Sequence, residues 1–188
     1  ILGTSGSGKT TLLKMVNRIH ELTEGELLYF GQDIMKLEAN EYRRKIGYVI
    51  QQGGLFPHKT VEDNIAVVPK LLKWDKQKIA QRTKELMQLV QLDYEKYRKR
   101  YPRSLSGGEQ QRVGIARALA TNPSIMLMDE PFGAIDAITR GVLQKEIKRL
   151  QKQLGNTILF VTHDVYEAFL LGQKIIVMDH GEVQQYDT

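Results

Sequence analysis

The chain has 188 residues, with 27 Lys and Arg against 22 Asp and Glu for a net charge of +5, 41% hydrophobic residues and no Cys. A chain of this size and composition can bury a core as one globular domain, which excludes disordered and collagen-like classes. The lack of Cys excludes a disulfide framework, thiol catalysis and Cys-bound zinc. Its longest apolar stretches, such as 125–128 and 175–178, fall far below the roughly 20 residues needed to span a bilayer. The basic excess is local: residues 70–103 hold 11 basic and 4 acidic side chains, leaving 16 against 18 elsewhere. Such a segment reads as a solvated helical face or as a surface that approaches anionic groups.

In chain order, Ile1 and Leu2 run without Met straight into a glycine-rich motif, so the N-terminus reads as cut, with sequence missing upstream. Leu12, Met15, Val16 and Ile19 recur at helical spacing and predict a helix over 11–19 with one buried face. Residues 25–31 read as a short strand ending in a turn, and 46–50 as a second strand closing on Gln51-Gln52-Gly53-Gly54. From there to Arg103 the pattern is helical: Thr60 can cap 61–67 ahead of Pro69, and Asp75 can cap a helix to about Leu92. Ser106-Gly107-Gly108-Glu109 fits a capping box that opens a helix to Ala120, stopped by Asn122-Pro123. Residues 125–128 and 157–161 are apolar runs of the kind found in parallel strands covered on both faces. Between them Asp136 caps a long helix ending at Gly155. The alternation implies an open, mostly parallel α/β sheet, whose ligands sit at the carboxyl ends of the strands.

Chemistry is therefore expected at Gly3 onward, Gln51, Asp129-Glu130 and His163. Gly3-Thr4-Ser5-Gly6-Ser7-Gly8-Lys9-Thr10 matches G-x-x-x-x-G-K-[ST], in which backbone amides and the next helix N-terminus cradle phosphates. In that motif Lys9 pairs with the β- and γ-phosphates and Thr10 ligates Mg²⁺. Met126-Leu127-Met128-Asp129-Glu130 supplies an apolar strand that places Asp129 near the metal and Glu130 near an attacking water. Two adjacent carboxylates at a strand end repel each other and lose hydration, so packing alone rarely retains them.

Leu105-Ser106-Gly107-Gly108-Glu109-Gln110-Gln111-Arg112 resembles the signature of ATP-binding-cassette (ABC) ATPases, and the order of phosphate loop, glutamine loop, signature, acidic strand end and His163 is similar to theirs along the whole chain. The resemblance implies a P-loop NTPase fold with core segments 1–52 and 115–188 and an inserted helical subdomain over 53–114 that carries the signature. It implies two ATP molecules sandwiched between two subunits, so that an isolated monomer would be nearly inactive. Thr11 and the 3–10 loop would bind one nucleotide, with Gln51 and His163 beside it. Ser106, Gly107, Gly108, Glu109 and Asp136 would reach the nucleotide of the partner. Gln51 matches the glutamine that reaches Mg²⁺ and the water, with Gln52 a second candidate, and His163 matches the histidine that contacts the γ-phosphate and positions Glu130. Thr10, Gln51 and Asp129 would be the metal ligands. Ile135 stands where the family more often has Leu, and 181–188 is similar to its closing hairpin. The adenine-stacking aromatic residue and most of one central strand would lie upstream of Ile1, which implies reduced stability.

Leu55-Phe56-Pro57-His58-Lys59-Thr60-Val61-Glu62-Asp63-Asn64-Ile65 is similar to bacterial importer subunits. Asp33-Ile34-Met35-Lys36-Leu37 and Val68-Pro69-Lys70-Leu71-Leu72-Lys73-Trp74 resemble the ATPases that take up glycine betaine, carnitine or choline, although Gly53 departs from the branched apolar residue expected there. The implied partners are a second ATPase subunit, transmembrane permease subunits and, indirectly, a solute-binding protein, with no nucleic acid. The implied place is peripheral, on the cytoplasmic face of the cell membrane. Other importer cargoes, such as amino acids or polyamines, remain an alternative. Soluble ABC ATPases that act on nucleic acid or ribosomes fit less well; the repair and chromosome-structuring members carry long coiled coils or Cys-bound zinc, and the 97 positions from Lys9 to Ser106 hold neither sustained heptads nor Cys. Adenylate-type kinases leave the signature unexplained, and a degenerate binding subunit conflicts with the intact Glu130, His163 and signature.

Overall fold

The computed structural model describes residues 1–51 and 54–188, so Gln52, Gly53 and the expected segment boundary between them lie outside the described residues. The elements are β1 (Leu2–Gly3), α1 (Lys9–Val16), β2 (Leu28–Tyr29), β3 (Gln32–Asp33), α2 (Ala39–Arg44), β4 (Ile46–Val49), α3 (Val61–Ile65), α4 (Val67–Leu71), α5 (Lys76–Leu89), α6 (Tyr94–Tyr97), α7 (Gly107–Ala118), β5 (Ile125–Asp129), α8 (Ala137–Leu154), β6 (Thr157–Val161), α9 (Val165–Leu171), β7 (Ile175–Asp179) and β8 (Glu182–Asp187). Among them no helix is long and apolar enough to cross a membrane.

Strands β4, β5 and β6 lie side by side in parallel, with Val49 opposite Met128 and Asp129 opposite Val161. β1 pairs in parallel with β7, and β8 returns antiparallel on the other edge of β7. A bridge between Leu2 and Thr162 links β1 to the end of β6. Farther from that bridge β6 and β7 part around a cavity of about 460 Å³, lined in part by Ile158, Phe160, Leu171 and Ile176. Successive strand side chains point to opposite faces. On β5, Leu127 therefore joins a core with Leu13, Val16, Tyr42 and Val161, while Met126 and Met128 join another with Val113, Phe132 and Leu143. Burial on both faces is why this strand reads as an unbroken apolar run.

Three elements differ from the sequence reading. α1 ends at Val16 rather than Ile19, because Arg18 turns to φ 53° and its guanidinium donates to the carbonyls of Ile34 and Leu37, leaving Ile19 about half exposed. The strand predicted over 25–31 shortens to β2, since Phe30 and Gly31 both take positive φ and turn the chain into β3. Pro69 does not stop the helix before it. The chain resets at Ala66 and starts α4, where Pro69 falls in the first turn and its missing N–H costs nothing. The caps at Thr60, Asp75, Ser106 and Asp136 all form as expected.

Two arginines fasten α7 to α5 reciprocally. Arg82 of α5 donates to the carbonyls of Leu119 (2.9 Å) and Ala120 (3.2 Å) and to the side chain of Asn122. Arg112 of α7 donates to those of Gln91 (2.9 Å) and Val90 (3.3 Å). Each guanidinium satisfies carbonyls left over at the end of the other helix and faces the negative end of its dipole. Replacing Arg82 by Met keeps the stem and removes the donors, so Arg82→Met is expected to lower unfolding stability by about 1–3 kcal/mol. A urea titration checks this as a lower midpoint at unchanged slope; an unchanged midpoint would show that water replaces the guanidinium at no cost.

Candidate functional site

The loop between β1 and α1 wraps a small concavity because Gly6 and Gly8 hold φ of 82° and 93°, conformations that side chains disfavour. Gly3 has a different reason to lack a side chain: a Cβ there would meet the Met178 carbonyl oxygen at 2.3 Å. Lys9, only 6% exposed, folds back so that its Nζ donates to the carbonyls of Gly3 (2.9 Å) and Thr4 (2.6 Å) and to Ser7 Oγ (3.3 Å). All three acceptors are neutral, so the charge of this buried ammonium is left for an anionic ligand. The first amides of α1, which have no acceptor one turn earlier, face the same direction, and Thr11 follows on the exposed surface of that turn.

Thr10 Oγ1 donates to Asp129 Oδ1 at 3.0 Å, joining the loop to the end of β5. Asp129 is buried, and desolvation raises its carboxyl above the ordinary aspartate value; the Thr10 hydroxyl partly offsets this and the neighbouring Glu130 charge adds to it. A hydroxyl and a desolvated carboxylate suit Mg²⁺, which uses one or two protein oxygens and completes its shell with phosphate and water. Among the described residues no group of three or more His, Cys, Asp and Glu is placed to cage a metal alone. The donors present thus fit Mg²⁺ held jointly with a polyphosphate.

Beyond β4, β5 and β6 three side chains converge. Glu130 Oε2 accepts from Gln51 Nε2 at 3.0 Å, and Glu130 Oε1 lies 3.2 Å from His163 Nδ1. Parallel register accounts for this, because strands whose ends are level bring the residues just past them together. The Glu130 backbone is left-handed at φ 45°, a conformation that costs of order 1–3 kcal/mol and persists only where its surroundings impose it. The residues on either side of His163 are tied down: Thr162 Oγ1 donates to Glu167 Oε2 (2.7 Å) and Gln144 Nε2 to Glu167 Oε1 (3.2 Å) in a buried network, and the Asp164 carboxylate caps α9.

The signature residues lie elsewhere. Ser106 Oγ accepts from the Glu109 amide and Glu109 Oε2 accepts from the Ser106 amide, closing both halves of the capping box. Glu109 Oε1 also accepts from Tyr97 (2.8 Å), and the Ser106 amide bond leads in holding this carboxyl below the ordinary glutamate range. A Cβ on Gly108 would meet the Ala134 carbonyl at 2.8 Å, so α7 starts tight against 133–135. Asp136 caps α8 through the Thr139 amide, which lowers its pKa. Among the described residues no hydrogen bond joins Ser106, Gly107, Gly108, Glu109 or Asp136 to the 3–10 loop of the same chain. The fold therefore brings Gly3, Thr4, Ser5, Gly6, Ser7, Gly8, Lys9, Thr10, Gln51, Asp129, Glu130 and His163 to one edge, and leaves the signature and Asp136 apart. Sequence reasoning missed Gln111, Gln144 and Glu167. For Gln111 the signal was a polar residue on the same helical stripe as the buried Ile115 and Ala118.

The family model described as ABC transporter matches residues 1–133. The chain is 55% identical over its whole length to the carnitine transport ATP-binding protein OpuCA of Listeria monocytogenes, covering 47% of that protein. It is 54% identical over 98% of its length to the glycine betaine uptake system ATP-binding protein YehX of Escherichia coli, covering 60% of it. The chain thus spans about half the length of the curated relatives it matches. Its fold superposes with a TM-score of 0.91, at 36% identity and over 100% of this chain and 83% of the other, on the dimeric structure of a post-hydrolysis state of the ATP-binding cassette MJ0796 bound to ADP and Pi. A P-loop NTPase fold with the motifs in this order and on these strand ends is an ATP-binding cassette, and the chain belongs to the ABC transporter family.

Proposed function

We propose that this chain hydrolyses ATP with Mg²⁺ to drive solute import, as a peripheral subunit on the cytoplasmic face of the cell membrane. The observation that carries the reading is the meeting of Gln51, Glu130 and His163 beside the Thr10–Asp129 pair. Lys9 and the 3–10 loop amides hold the phosphates, and Thr10, Asp129 and Gln51 hold the ion. When bound, Mg²⁺ would supply positive charge that stabilises the negative charge developing on the phosphates. Glu130 orients or deprotonates the attacking water, while Gln51 and His163 fix the two oxygens of its carboxylate. His163 also approaches the γ-phosphate.

Ser106, Gly107, Gly108 and Asp136 act in trans, on the nucleotide of a second copy. That none of the described hydrogen bonds joins them to the 3–10 loop of their own chain supports this assignment, as does the dimeric assembly of the solved cassette. The Glu109 carboxylate, committed to Ser106 and Tyr97, holds the signature turn in shape. Segments 1–52 and 115–188 form the nucleotide core. Segment 53–114 is the helical part that docks permease subunits, which in turn meet a solute-binding protein. Its basic surface then lies close to the anionic leaflet. The cargo is a quaternary-amine osmoprotectant, on the strength of relatives whose names specify carnitine and glycine betaine.

Two outcomes are expected. In Glu130→Gln, ATP binding persists while hydrolysis falls by about 10²-fold or more, and size-exclusion chromatography with Mg-ATP shows a trapped dimer. Turnover at the original rate would remove Glu130 from the chemistry. At high osmolarity, cells carrying Lys9→Ala lose uptake of radiolabelled glycine betaine, carnitine or choline that cells with the unaltered protein retain. Unaffected uptake of all three, with ATPase activity intact in the unaltered protein, would discard the osmoprotectant cargo and keep the ATPase.

A further inference from the structure

Glu130 holds its carboxylate between Gln51 and His163 from a backbone in the left-handed region. Such a conformation in a non-glycine residue persists only where neighbours impose it. Its amide is held by β6, donating to the Val161 carbonyl at 3.0 Å. Its carbonyl accepts from the Gly133 amide at 3.3 Å and, from a distant element, from Gln111 Nε2 at 2.9 Å.

Gln111 is 8% exposed and sits on α7, five residues past Ser106. Its Oε1 accepts from the Ala134 amide at 3.0 Å, and its Nε2 also approaches the Gln51 carbonyl at 3.5 Å. The facing groups dictate the amide orientation: Ala134 offers only an N–H and Glu130 only a carbonyl. A side chain with one acceptor and one donor at its tip meets both, whereas Glu meets one and opposes the other, and Met meets neither. Without Gln111 the Ala134 amide would lose its side-chain acceptor, and the Glu130 carbonyl would keep only the longer bond from the Gly133 amide.

We infer that Gln111 is the positioning residue that holds the strained peptide of Glu130 and ties the signature helix to the hydrolytic carboxylate. The inference rests on the ATPase reading above and deepens it. Gln111 touches no reacting atom in this arrangement. It acts by keeping the Glu130 carbonyl, the Gln51 carbonyl and the Ala134 amide at fixed distances, so that a shift of α7 moves the Glu130 backbone with it. Misplacement of a reacting group by about 1 Å is enough to cost a rate of order 10²-fold.

The test is steady-state ATP hydrolysis by the intact protein carrying Gln111→Met, Gln111→Glu or Glu130→Gln, with binding of a fluorescent ATP analogue measured alongside. For Gln111→Met and Gln111→Glu, kcat is expected to fall by about tenfold or more, with KM for ATP and analogue affinity within about twofold of the unaltered protein. General loosening of the fold would move KM and affinity as well. If Gln111→Met does not fold, Gln111→Glu, which keeps the size and the bond to Ala134, decides alone. An unaltered kcat in the Gln111 variants beside an inactive Glu130→Gln overturns this inference and leaves the ATPase reading standing. A fall in kcat matched by an equal loss of ATP affinity overturns it too. Full turnover in Glu130→Gln overturns the ATPase reading and this inference with it.

Discussion

Strand β5 sits between β4 and β6 with apolar side chains buried on both faces, and most of the molecule is arranged by that constraint. Leu127 packs into one core and Met126 and Met128 into the other, so the strand cannot shift by one residue without exchanging its two faces. Full burial of each such side chain contributes about 1.5–3 kcal/mol, which makes the register expensive to change. Because the neighbouring strands run parallel and in fixed register with it, the positions just past their ends are brought level. Gln51, Asp129, Glu130 and His163 meet for that reason, although more than a hundred residues separate the first from the last.

At that edge the protein concentrates unfavourable features. Lys9 is buried against neutral oxygens, Asp129 is a desolvated carboxylate with a hydroxyl donor, and Glu130 has a left-handed backbone. A polyphosphate with Mg²⁺ would answer the first two, since the Lys9 ammonium would then face phosphate and the Asp129 carboxylate the ion. The third is met within the protein by the β6 carbonyl, Gly133 and Gln111. A second polar layer, Thr162, Glu167 and Gln144, stands behind His163. Groups on α7 and α8, the two helices that begin at the signature and at Asp136, thus reach the strand ends through buried amides.

The helical segment is organised by capping and charge. Side-chain caps at Thr60, Asp75, Asp93 and Ser106 begin its helices, and Arg82 and Arg112 close α7 and α5 from outside. Many of its cations lie over aromatic rings, as Lys78 does over Trp74 at 4.1 Å and Arg100 over Tyr97 at 4.7 Å. Part of the local positive excess is therefore structural, stabilising rings on the surface.

The elements legible in the sequence were those whose signal is local. The glycine loop, the caps at Ser106 and Asp136, the apolar strands 125–128 and 157–161 and the helix from Asp75 are each specified by neighbours within a turn or two. The helix ending at Val16 was not, because Arg18 turns to meet carbonyls at Ile34 and Leu37, residues that come near only after folding. Pro69 likewise read as a stop until Ala66 placed it in a first turn. Residue types and spacing pointed to Lys9, Thr10, Asp129 and Glu130, since phosphate and carboxylate chemistry requires those groups, whereas Gln51 and His163 stood out by following a strand and took their roles from the resemblance to ABC ATPases. Only the tertiary structure decided that Gln111, Gln144 and Glu167 stand behind them: a glutamine or glutamate inside a helix has no local mark of its partner. The bonds that give it meaning join residues up to 60 positions apart.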